Sequence, residues 1–264
     1  MVNLGDIRRQ YTQGRLDEET AADDPMTQFH AWFEQYRDTE PLEPTIMTVA
    51  SVDSEGMPWQ RVLLLKAYDG DGFVFFTNYE SNKGQHFTNT GKASLHFFWM
   101  EMERQVEVQG TIEKISREET AEYFHSRPRQ SQLGAWASAQ SRPLDNRAQL
   151  EQAFADVSAQ YENEEVPVPD HWGGFRVTPT RMEFWQGGEH RLHDRVEYQP
   201  QADGSWKKQR LNPLSFKITK KPANAGFFVS YQYCSVQILD LAFALVNIST
   251  AKQKCMIEQV IQLV

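Results

Sequence analysis

The chain has 264 residues, 40% of them hydrophobic, which is enough for one large domain or two small ones around a buried core. Its formal net charge of −9 argues against non-specific binding to nucleic acid, which needs a basic surface. Residues 1–213 contain no cysteine, which excludes a disulfide framework or a thiolate metal site there. The N-terminus lacks the apolar stretch of a signal peptide, and we expect a cytoplasmic protein.

The first predicted element is a helix over residues 24–37. Asp24 can cap its N-terminus, and Pro25 suits the first helical position. Apolar side chains recur along one face at Met26, Phe29, Trp32, Phe33 and Tyr36. Because packing requires this spacing, we expect the aromatic stripe to belong to the core rather than to a cofactor site.

A β-rich block follows the helix. Strands are predicted over residues 45–52, 59–68, 73–78, 93–100 and 104–115, the last two forming a hairpin. Short turns rich in Asp and Gly separate the first three strands. Strands joined by short turns favour an antiparallel barrel over a doubly wound parallel sheet.

Two helices and a linker come next. Ser116 and Glu119 form a capping box that opens a helix through about Ser126, and a second helix is predicted over 143–162. The proline-containing stretch 165–170 is a short linker into the last sheet segment. We therefore expect a single mainly β (α+β) domain with peripheral helices over residues 1–213.

Isolated basic side chains on apolar strands suggest small anionic ligands such as phosphate esters. In the segment RVLLLK (61–66), strand alternation places Arg61 and Lys66 at opposite ends and on opposite faces. One strand could therefore serve two anionic groups.

A second candidate anion site lies between the predicted helices. Tyr123, Arg127 and Ser131 recur at four-residue spacing, and they share one face if the helix continues through Pro128 with a kink. Two hydroxyl groups and a guanidinium would then form a phosphate clamp.

The segment Met182–Arg195 combines a predicted strand, a turn at Gly187 and Gly188, and a second predicted strand. In a strand, Arg191, His193 and Arg195 would project to one side, where they could hold an anion and move charge beside it. We expect no metal site at His190 and His193, because side chains so spaced diverge in a strand or turn and no further ligand cluster accompanies them.

Residues 214–264 differ in character from the rest of the chain. A run over 226–248 is apolar, but Asp240 near its middle argues against a membrane span. We expect an atypical C-terminal extension with no catalytic role, disordered or loosely packed.

Several motifs between residues 5 and 213 resemble, in the same order, those of the pyridoxine (pyridoxamine) 5'-phosphate oxidase family. They are IRRQY (7–11), the DP…F..WF helix (24–33), RVLLLK (61–66), FFTN (75–78), RQVEVQG (104–110), YFHSRP (123–128), SQLGAWAS.QS (131–141), EVP.P..WGG (165–174), EFWQG (183–187) and RLHDR (191–195). Such a set is far more specific than any single motif.

The resemblance implies a split β-barrel that binds flavin mononucleotide (FMN) at the interface of a homodimer. It also implies an oxidase of vitamin B6 metabolism. The expected reaction converts pyridoxine 5'-phosphate and pyridoxamine 5'-phosphate to pyridoxal 5'-phosphate, with O2 as the acceptor. The products include H2O2 and, from the amine substrate, ammonia.

The resemblance further assigns residues to the two ligands. FMN contacts fall on Arg61, Val62, Leu63, Leu64, Phe76, Thr77, Asn82, Lys83, Gln105, Gln140, Ser141, Trp185 and Arg195, with Gln140 and Ser141 expected from the neighbouring subunit. Substrate-phosphate contacts fall on Lys66, Tyr123, Arg127 and Ser131. Arg191 and His193 match the catalytic residues over the substrate ring, and Arg8 and Tyr11 match an N-terminal segment, 1–23, that covers the substrate.

One position departs from the family pattern. The family usually has arginine where this chain has Asn82, which keeps hydrogen-bonding capacity but loses the charge and the bidentate fork. This difference bears on the affinity for FMN and not on the identity of the cofactor.

Two other functions are compatible with the sequence. One is a split-barrel flavin reductase that acts on a larger substrate with a nicotinamide, against which the complete Lys66, Tyr123, Arg127 and Ser131 set argues. The other is a non-catalytic pyridoxal 5'-phosphate carrier that has lost its flavin. The visible spectrum of the purified protein would separate a carrier from an oxidase, because bound oxidised flavin is yellow.

Overall fold

Nine antiparallel strands in one sheet make up most of the structure, a computed structural model that describes residues 10–213. The strands are β1 Ile46–Val52, β2 Pro58–Leu64, β3 Ala67–Asp69, β4 Gly72–Asn78, β5 Lys92–Trp99, β6 Arg104–Lys114, β7 Trp172–Gln186, β8 Asp194–Pro200 and β9 Trp206–Arg210. The helices are α1 Pro25–Arg37, α2 Asn82–Thr90, α3 Arg117–Ser126, α4 Arg129–Ala137 and α5 Arg147–Gln160, with 3₁₀ turns at Met100–Met102 and Glu189–Arg191. The predictions for Arg8 and for residues 214–264 fall outside the described residues.

The long strand β7 organises the sheet. The strand order is β2-β1-β5-β6-β7-β4-β3, and β8 pairs with both β7 and β9. The first half of β7 pairs with β4 and its second half with β8, while β6 pairs along nearly its whole length. The sheet therefore divides between β4 and β8, which confirms the predicted split-barrel class with peripheral helices.

Helix α1 supplies a large part of the core, as its sequence predicts. The Asp24 side chain accepts a hydrogen bond from the Thr27 amide at 2.7 Å and caps the helix. The stripe from Met26 to Tyr36 is buried, and the ring of Phe29 lies 4.9 Å from that of Phe73. The aromatic stripe is therefore core, packed against the strands of the barrel.

The predicted strand 59–68 is in fact two strands. The Leu65 amide donates to the Thr45 carbonyl, and the next amide, of Lys66, donates to the Val74 carbonyl. The chain thus turns a corner here, leaving the β1 side of the sheet for the β4 side. The interpretation that one strand carries both Arg61 and Lys66 is wrong, because β2 ends at Leu64 and Lys66 lies in the corner before β3.

The helices agree with the predictions except at Pro128. The capping box of Ser116 and Glu119 is present at the start of α3. Arg127 has an extended backbone (φ −75°, ψ 150°), as expected before a proline, so α3 and α4 are separate helices rather than one kinked helix. Within residues 10–213, no helix is both long and apolar enough to cross a membrane.

Candidate active site

A buried lysine marks the first of three side-chain clusters. Lys83 is only 8% exposed at the start of α2, where the Ser81 side chain caps the helix. Its Nζ lies 3.3 Å from Ser81 Oγ and 3.2 Å from Gln140 Oε1, and Thr77 Oγ1 donates to the same Gln140 oxygen at 3.4 Å. Within residues 10–213, Lys83 has no carboxylate partner. We call this cluster the Lys83 site.

A second cation strengthens the positive charge of the Lys83 site. Arg61 on β2 donates through Nη1 to the carbonyls of Val49 and Trp59 and to Ser51 Oγ. Burial, assisted by the charge of Arg61, lowers the pKa of Lys83 to about 8. Two partly desolvated cations beside a helix N-terminus favour the binding of an anion, whose charge would stabilise both of them.

The contact of Gln140 with Lys83 lies within one chain. It differs from the expectation that Gln140 reaches this site from the neighbouring subunit. Its neighbour Ser141 has a left-handed backbone (φ 70°). Asn82, the first residue of α2, directly precedes Lys83.

The second cluster surrounds Arg127, and we call it the Arg127 site. The guanidinium carbon lies 4.6 Å from the centre of the Trp172 ring, and Tyr123 stacks on Phe76 at 3.9 Å. Arg127 Nη1 is buried without a hydrogen-bond partner, and burial lowers the pKa of this group. A buried donor of this kind is costly unless a ligand accepts from it.

The remaining residues of the predicted phosphate clamp lie on different elements. Ser131 lies in the first turn of α4, and Gln132 Nε2 donates to the Arg127 carbonyl at 2.8 Å. Lys66 is exposed at the corner between β2 and β3, and within residues 10–213 its side chain makes no hydrogen bond or ion pair. The fold therefore brings Tyr123 and Arg127 together around Trp172, with Ser131 on the next helix, and within residues 10–213 no contact joins Lys66 to them.

The third cluster consists of the rings of Tyr11, Trp185 and His193. The Trp185 and His193 centroids are 4.7 Å apart, and Tyr11 meets both rings edge-on at 5.8 and 5.4 Å. The Gly188 amide donates to His193 Nδ1 at 3.2 Å, so a neutral imidazole carries its proton on Nε2. Burial, with the charge of Arg191, lowers the pKa of His193, which favours the neutral ring.

The prediction of a strand through Arg191 and His193 is wrong. Residues Glu189–Arg191 form a 3₁₀ turn in which His190 and Arg191 have left-handed backbones (φ 55° and 61°), and β8 begins only at Asp194. Such a conformation is costly for residues other than glycine and concentrates at functional turns. Arg191 is exposed on the turn, and His193 is turned toward Trp185.

Arg195 differs from Lys83 and Arg127 because it is paired with a carboxylate. Its Nε and Nη2 donate to the two Glu183 oxygens at 2.7 and 3.0 Å, and Nη1 donates to the Asn212 carbonyl at 3.0 Å. Register places Arg195 directly across from Trp185. The pair with Glu183 thus fixes a guanidinium next to the ring cluster.

Glu183 has no site role in the sequence-based prediction, although strand alternation relates it to Trp185. Glu183 and Trp185 alternate onto the same face of β7, so Glu183 lies next to Arg195 once β7 and β8 are paired. Glu107, Glu183 and Glu197 stand opposite one another across β6, β7 and β8. Arg181 contacts all three carboxylates and so offsets their repulsion.

The other residues matched to the cofactor lie on strands near these clusters. Gln105 on β6 is opposite Trp185, and its Oε1 lies 3.0 Å from His96 Nε2. Phe76 and Thr77 lie near the end of β4. Val62, Leu63 and Leu64 continue β2 after Arg61.

Comparison with known proteins gives consistent matches. A family model described as "Pyridoxamine 5'-phosphate oxidase" matches residues 32–161, and a "Pyridoxine 5'-phosphate oxidase C-terminal dimerisation region" matches residues 172–213. A pyridoxine/pyridoxamine 5'-phosphate oxidase of Pseudoalteromonas translucida is 51% identical over 212 residues, covering 80% of this chain and 100% of the relative. One from Synechocystis is 52% identical over 212 residues, covering 80% and 99%.

A solved structure supports the same conclusion. PhzG from Burkholderia lata, in complex with tetrahydrophenazine-1-carboxylic acid, matches with a TM-score of 0.70 and 28% identity, covering 75% of this chain and 98% of that chain. An FMN-binding protein from Nostoc punctiforme shares the fold, with a TM-score of 0.59 at 15% identity over 72% of this chain and 98% of its own. With the fold, the three clusters and these relatives in agreement, the chain belongs to the pyridoxine/pyridoxamine 5'-phosphate oxidase family.

Proposed function

We infer that the chain is an FMN-dependent oxidase that converts pyridoxine 5'-phosphate and pyridoxamine 5'-phosphate to pyridoxal 5'-phosphate, with dioxygen as the acceptor. One observation carries this inference: two separate cation sites, at Lys83 and at Arg127, each lack a carboxylate partner within residues 10–213. FMN and the substrate each bring one phosphate, so two sites match two ligands. The curated relatives, named as oxidases of these substrates, support the reaction.

The Lys83 site fits the FMN phosphate. Lys83 and Arg61 would supply charge, and Thr77 and Gln140 would supply polar contacts around the phosphate. Trp185, Gln105 and Arg195 would then border the flavin ring. When bound, FMN accepts a hydride from the substrate carbon C4' and passes the electrons to dioxygen.

The Arg127 site would hold the substrate phosphate. Arg127 Nη1 and the Tyr123 and Ser131 hydroxyls offer donors for it, and Lys66 would reach it from the β2–β3 corner. At the other end of the substrate, His193 offers a neutral Nε2–H and Arg191 a positive charge to the pyridine ring. Tyr11, and Arg8 before it, would cover the bound substrate.

The homodimer would use the outer face of the sheet. Ile46, Val62 and Phe98 are large apolar side chains that are about half exposed on this face, 48%, 63% and 50% respectively. The same face continues into β7 and β8, within the matched dimerisation region. Because strand register aligns Phe98 with Gln105 and Trp185 on this face, a second subunit here would place FMN near the interface, and we propose that arrangement for a cytoplasmic enzyme.

The test is a spectrum followed by an anaerobic titration. Purified full-length protein should be yellow with about one FMN per chain, and pyridoxamine 5'-phosphate should bleach it in the absence of oxygen. Admitting oxygen should restore the colour and produce peroxide. A colourless protein that still binds pyridoxal 5'-phosphate would support the carrier instead, and a yellow protein that only a nicotinamide bleaches would support the reductase.

A further inference from the structure

The N-terminal strap, residues 10–23, crosses the barrel next to the ring cluster. Its later part is tied to β8 and β9: the Leu16 amide donates to Asp194 Oδ2 at 3.0 Å, and Tyr198 and Lys208 donate to the carbonyls of Ala22 and Ala21 at 2.8 Å. Its earlier part carries Tyr11, whose ring meets Trp185 and His193. What fixes this earlier part decides where the Tyr11 ring lies.

Glu103 holds the earlier part of the strap. The amides of Thr12 and Gln13 both donate to Glu103 Oε2, at 2.7 and 3.0 Å. These are the two residues directly after Tyr11. Hydrogen bonds from backbone amides to a carboxylate are stronger than bonds between neutral groups, so this contact restrains the strap next to the tyrosine.

The position of Glu103 is unfavourable in two respects. Its backbone is left-handed (φ 55°), which favours glycine, and it is only 2% exposed although it carries a carboxylate. The surrounding contacts keep it in place: the Gly187 amide donates to the Glu103 carbonyl at 2.7 Å, and Gln186 Nε2 donates to it at 3.3 Å. The presence of a glutamate at this position is explained by the two strap amides that its carboxylate binds.

The packing at Gly187 joins these contacts to the site. A Cβ added to Gly187 would lie 2.8 Å from Tyr11 Cδ1 and 3.0 Å from Glu103 Cβ. Tyr11, Glu103 and the end of β7 are therefore in close contact. A change in the strap at Thr12 or Gln13 would be transmitted directly to the Tyr11 ring.

We propose that Glu103 is a positioning residue that sets substrate affinity by holding Tyr11 over Trp185 and His193 through the amides of Thr12 and Gln13. The proposal rests on the proposed function, in which Tyr11 covers the substrate. It assigns to Glu103 an effect on the KM for the 5'-phosphate substrate and none on FMN content.

Glu103→Gly is the decisive variant, because glycine suits the left-handed backbone while the carboxylate is lost with the rest of the side chain. We expect KM to rise about tenfold, the size of effect that follows from losing a charge-assisted contact, with kcat and flavin content nearly unchanged. Glu103→Gln keeps an acceptor oxygen and should restore most of the affinity. An unchanged KM in Glu103→Gly, or a Gln variant as impaired as the Gly variant, would overturn the proposal.

A second pair of variants tests the contact from the strap side. Thr12→Pro removes one donor amide, whereas Thr12→Ala keeps it and changes only an exposed side chain. Only the proline variant should raise KM. If Glu103→Gly fails to fold, the two Thr12 variants still test the proposal. Equal KM values for Thr12→Pro and Thr12→Ala would count against it.

Two further measurements separate this proposal from the proposed function. In a double-mutant cycle, adding Glu103→Gly to Tyr11→Ala should raise KM little further, because Glu103 acts on the substrate only through the Tyr11 ring; fully additive effects would contradict the proposal. Trypsin should cleave after the exposed Arg15 faster in Glu103→Gly than in the wild type, whether or not the protein oxidises anything. A wild type without oxidase activity would overturn the proposed function, and the cleavage rates would still test the strap contact.

Discussion

Basic side chains in this protein fall into two groups according to their partners. Arg181 and Arg195 are paired with carboxylates of the sheet, and Arg210 is paired with Asp194 and Glu18. Lys83 is buried and Arg127 is partly buried, with its Nη1 enclosed, but neither has a carboxylate partner within residues 10–213. The ion pairs of the first group join elements of the fold, whereas the second group matches the phosphate-binding roles that we propose for it.

The sequence could identify these positions but not their pairing. The residues Lys83, Arg127 and Arg195 each match a basic position of the family, and nothing in the spacing of the sequence distinguishes a paired cation from an unpaired one. The partner of Arg195 is Glu183, twelve residues earlier, and the contact exists only because β7 and β8 form a hairpin. Pairing of charges depends on strand register, which the local pattern does not specify.

Replacing Arg127 by alanine should weaken binding of the substrate while FMN content stays the same. Loss of one partner from a buried charged contact costs about 2–4 kcal/mol in binding free energy. KM for pyridoxamine 5'-phosphate measures the effect, and Arg147→Ala on the exposed surface of α5 is the matched control. Equal activity of the wild type on pyridoxine and its 5'-phosphate would contradict the role of Arg127.

The affinity for FMN should fall as pH rises through about 8. Burial lowers the pKa of Lys83 to about 8 in the free protein, and a bound phosphate would raise it again. Below that pH Lys83 is already protonated, whereas above it binding must take up a proton. Quenching of FMN fluorescence between pH 7 and 9 measures the affinity. Lys83→Met should bind FMN weakly with a flat pH profile, and a flat profile in the wild type would exclude Lys83 as the phosphate contact.

At the level of elements, the sequence predicts those features that depend on neighbouring residues, but it does not predict contacts between distant segments. The capping box at Ser116 and the stripe of α1 each depend on residues within a few positions, and both are present as predicted. The separation of α3 from α4 also has a local cause: Pro128 forces an extended backbone on Arg127, which ends the helix rather than kinking it. The turn at Glu189–Arg191 replaced a predicted strand because the Gly188 amide bonds to His193 and draws the chain out of the sheet.

The β7–β8 connection should separate ring chemistry from cofactor binding. His193→Ala and Arg191→Ala should keep their flavin but slow its reduction by substrate under anaerobic conditions, because we propose that both residues act on the pyridine ring of the substrate. Arg195→Ala should instead lower flavin occupancy, since Arg195 lies across from Trp185 within the sheet. Stopped-flow absorbance and flavin stoichiometry give the two readouts. Loss of flavin from all three variants alike would show that this division is wrong.

For the whole molecule, the class of fold followed from the order of the strands and turns, but the closure of the sheet did not. β4 and β8 share the same side of β7, although more than a hundred residues separate them along the chain. Short turns between neighbouring strands predict hairpins such as β5–β6 and leave such distant pairings open. The family resemblance supplied what the local patterns could not, namely that the sheet forms a split barrel.

The same view of the whole chain predicts that Pro213 is a sufficient end point. The last contacts of the described fold come just after β9: the Leu211 amide donates to the Arg195 carbonyl, and Arg195 Nη1 donates to the Asn212 carbonyl. Relatives of about this length match over their entire sequence. A chain ending at Pro213 should therefore fold, dimerise, bind FMN and oxidise substrate as well as the full chain does.

A chain ending at Arg210 is the matched control for this truncation. It keeps β9 but loses both contacts to Arg195, so it should bind FMN less tightly than the chain that ends three residues later. Flavin stoichiometry, oligomer size and peroxide production compare the three lengths directly. If the chain ending at Pro213 were monomeric or colourless beside a yellow dimeric full-length protein, residues 214–264 would be part of the working structure rather than an extension of it.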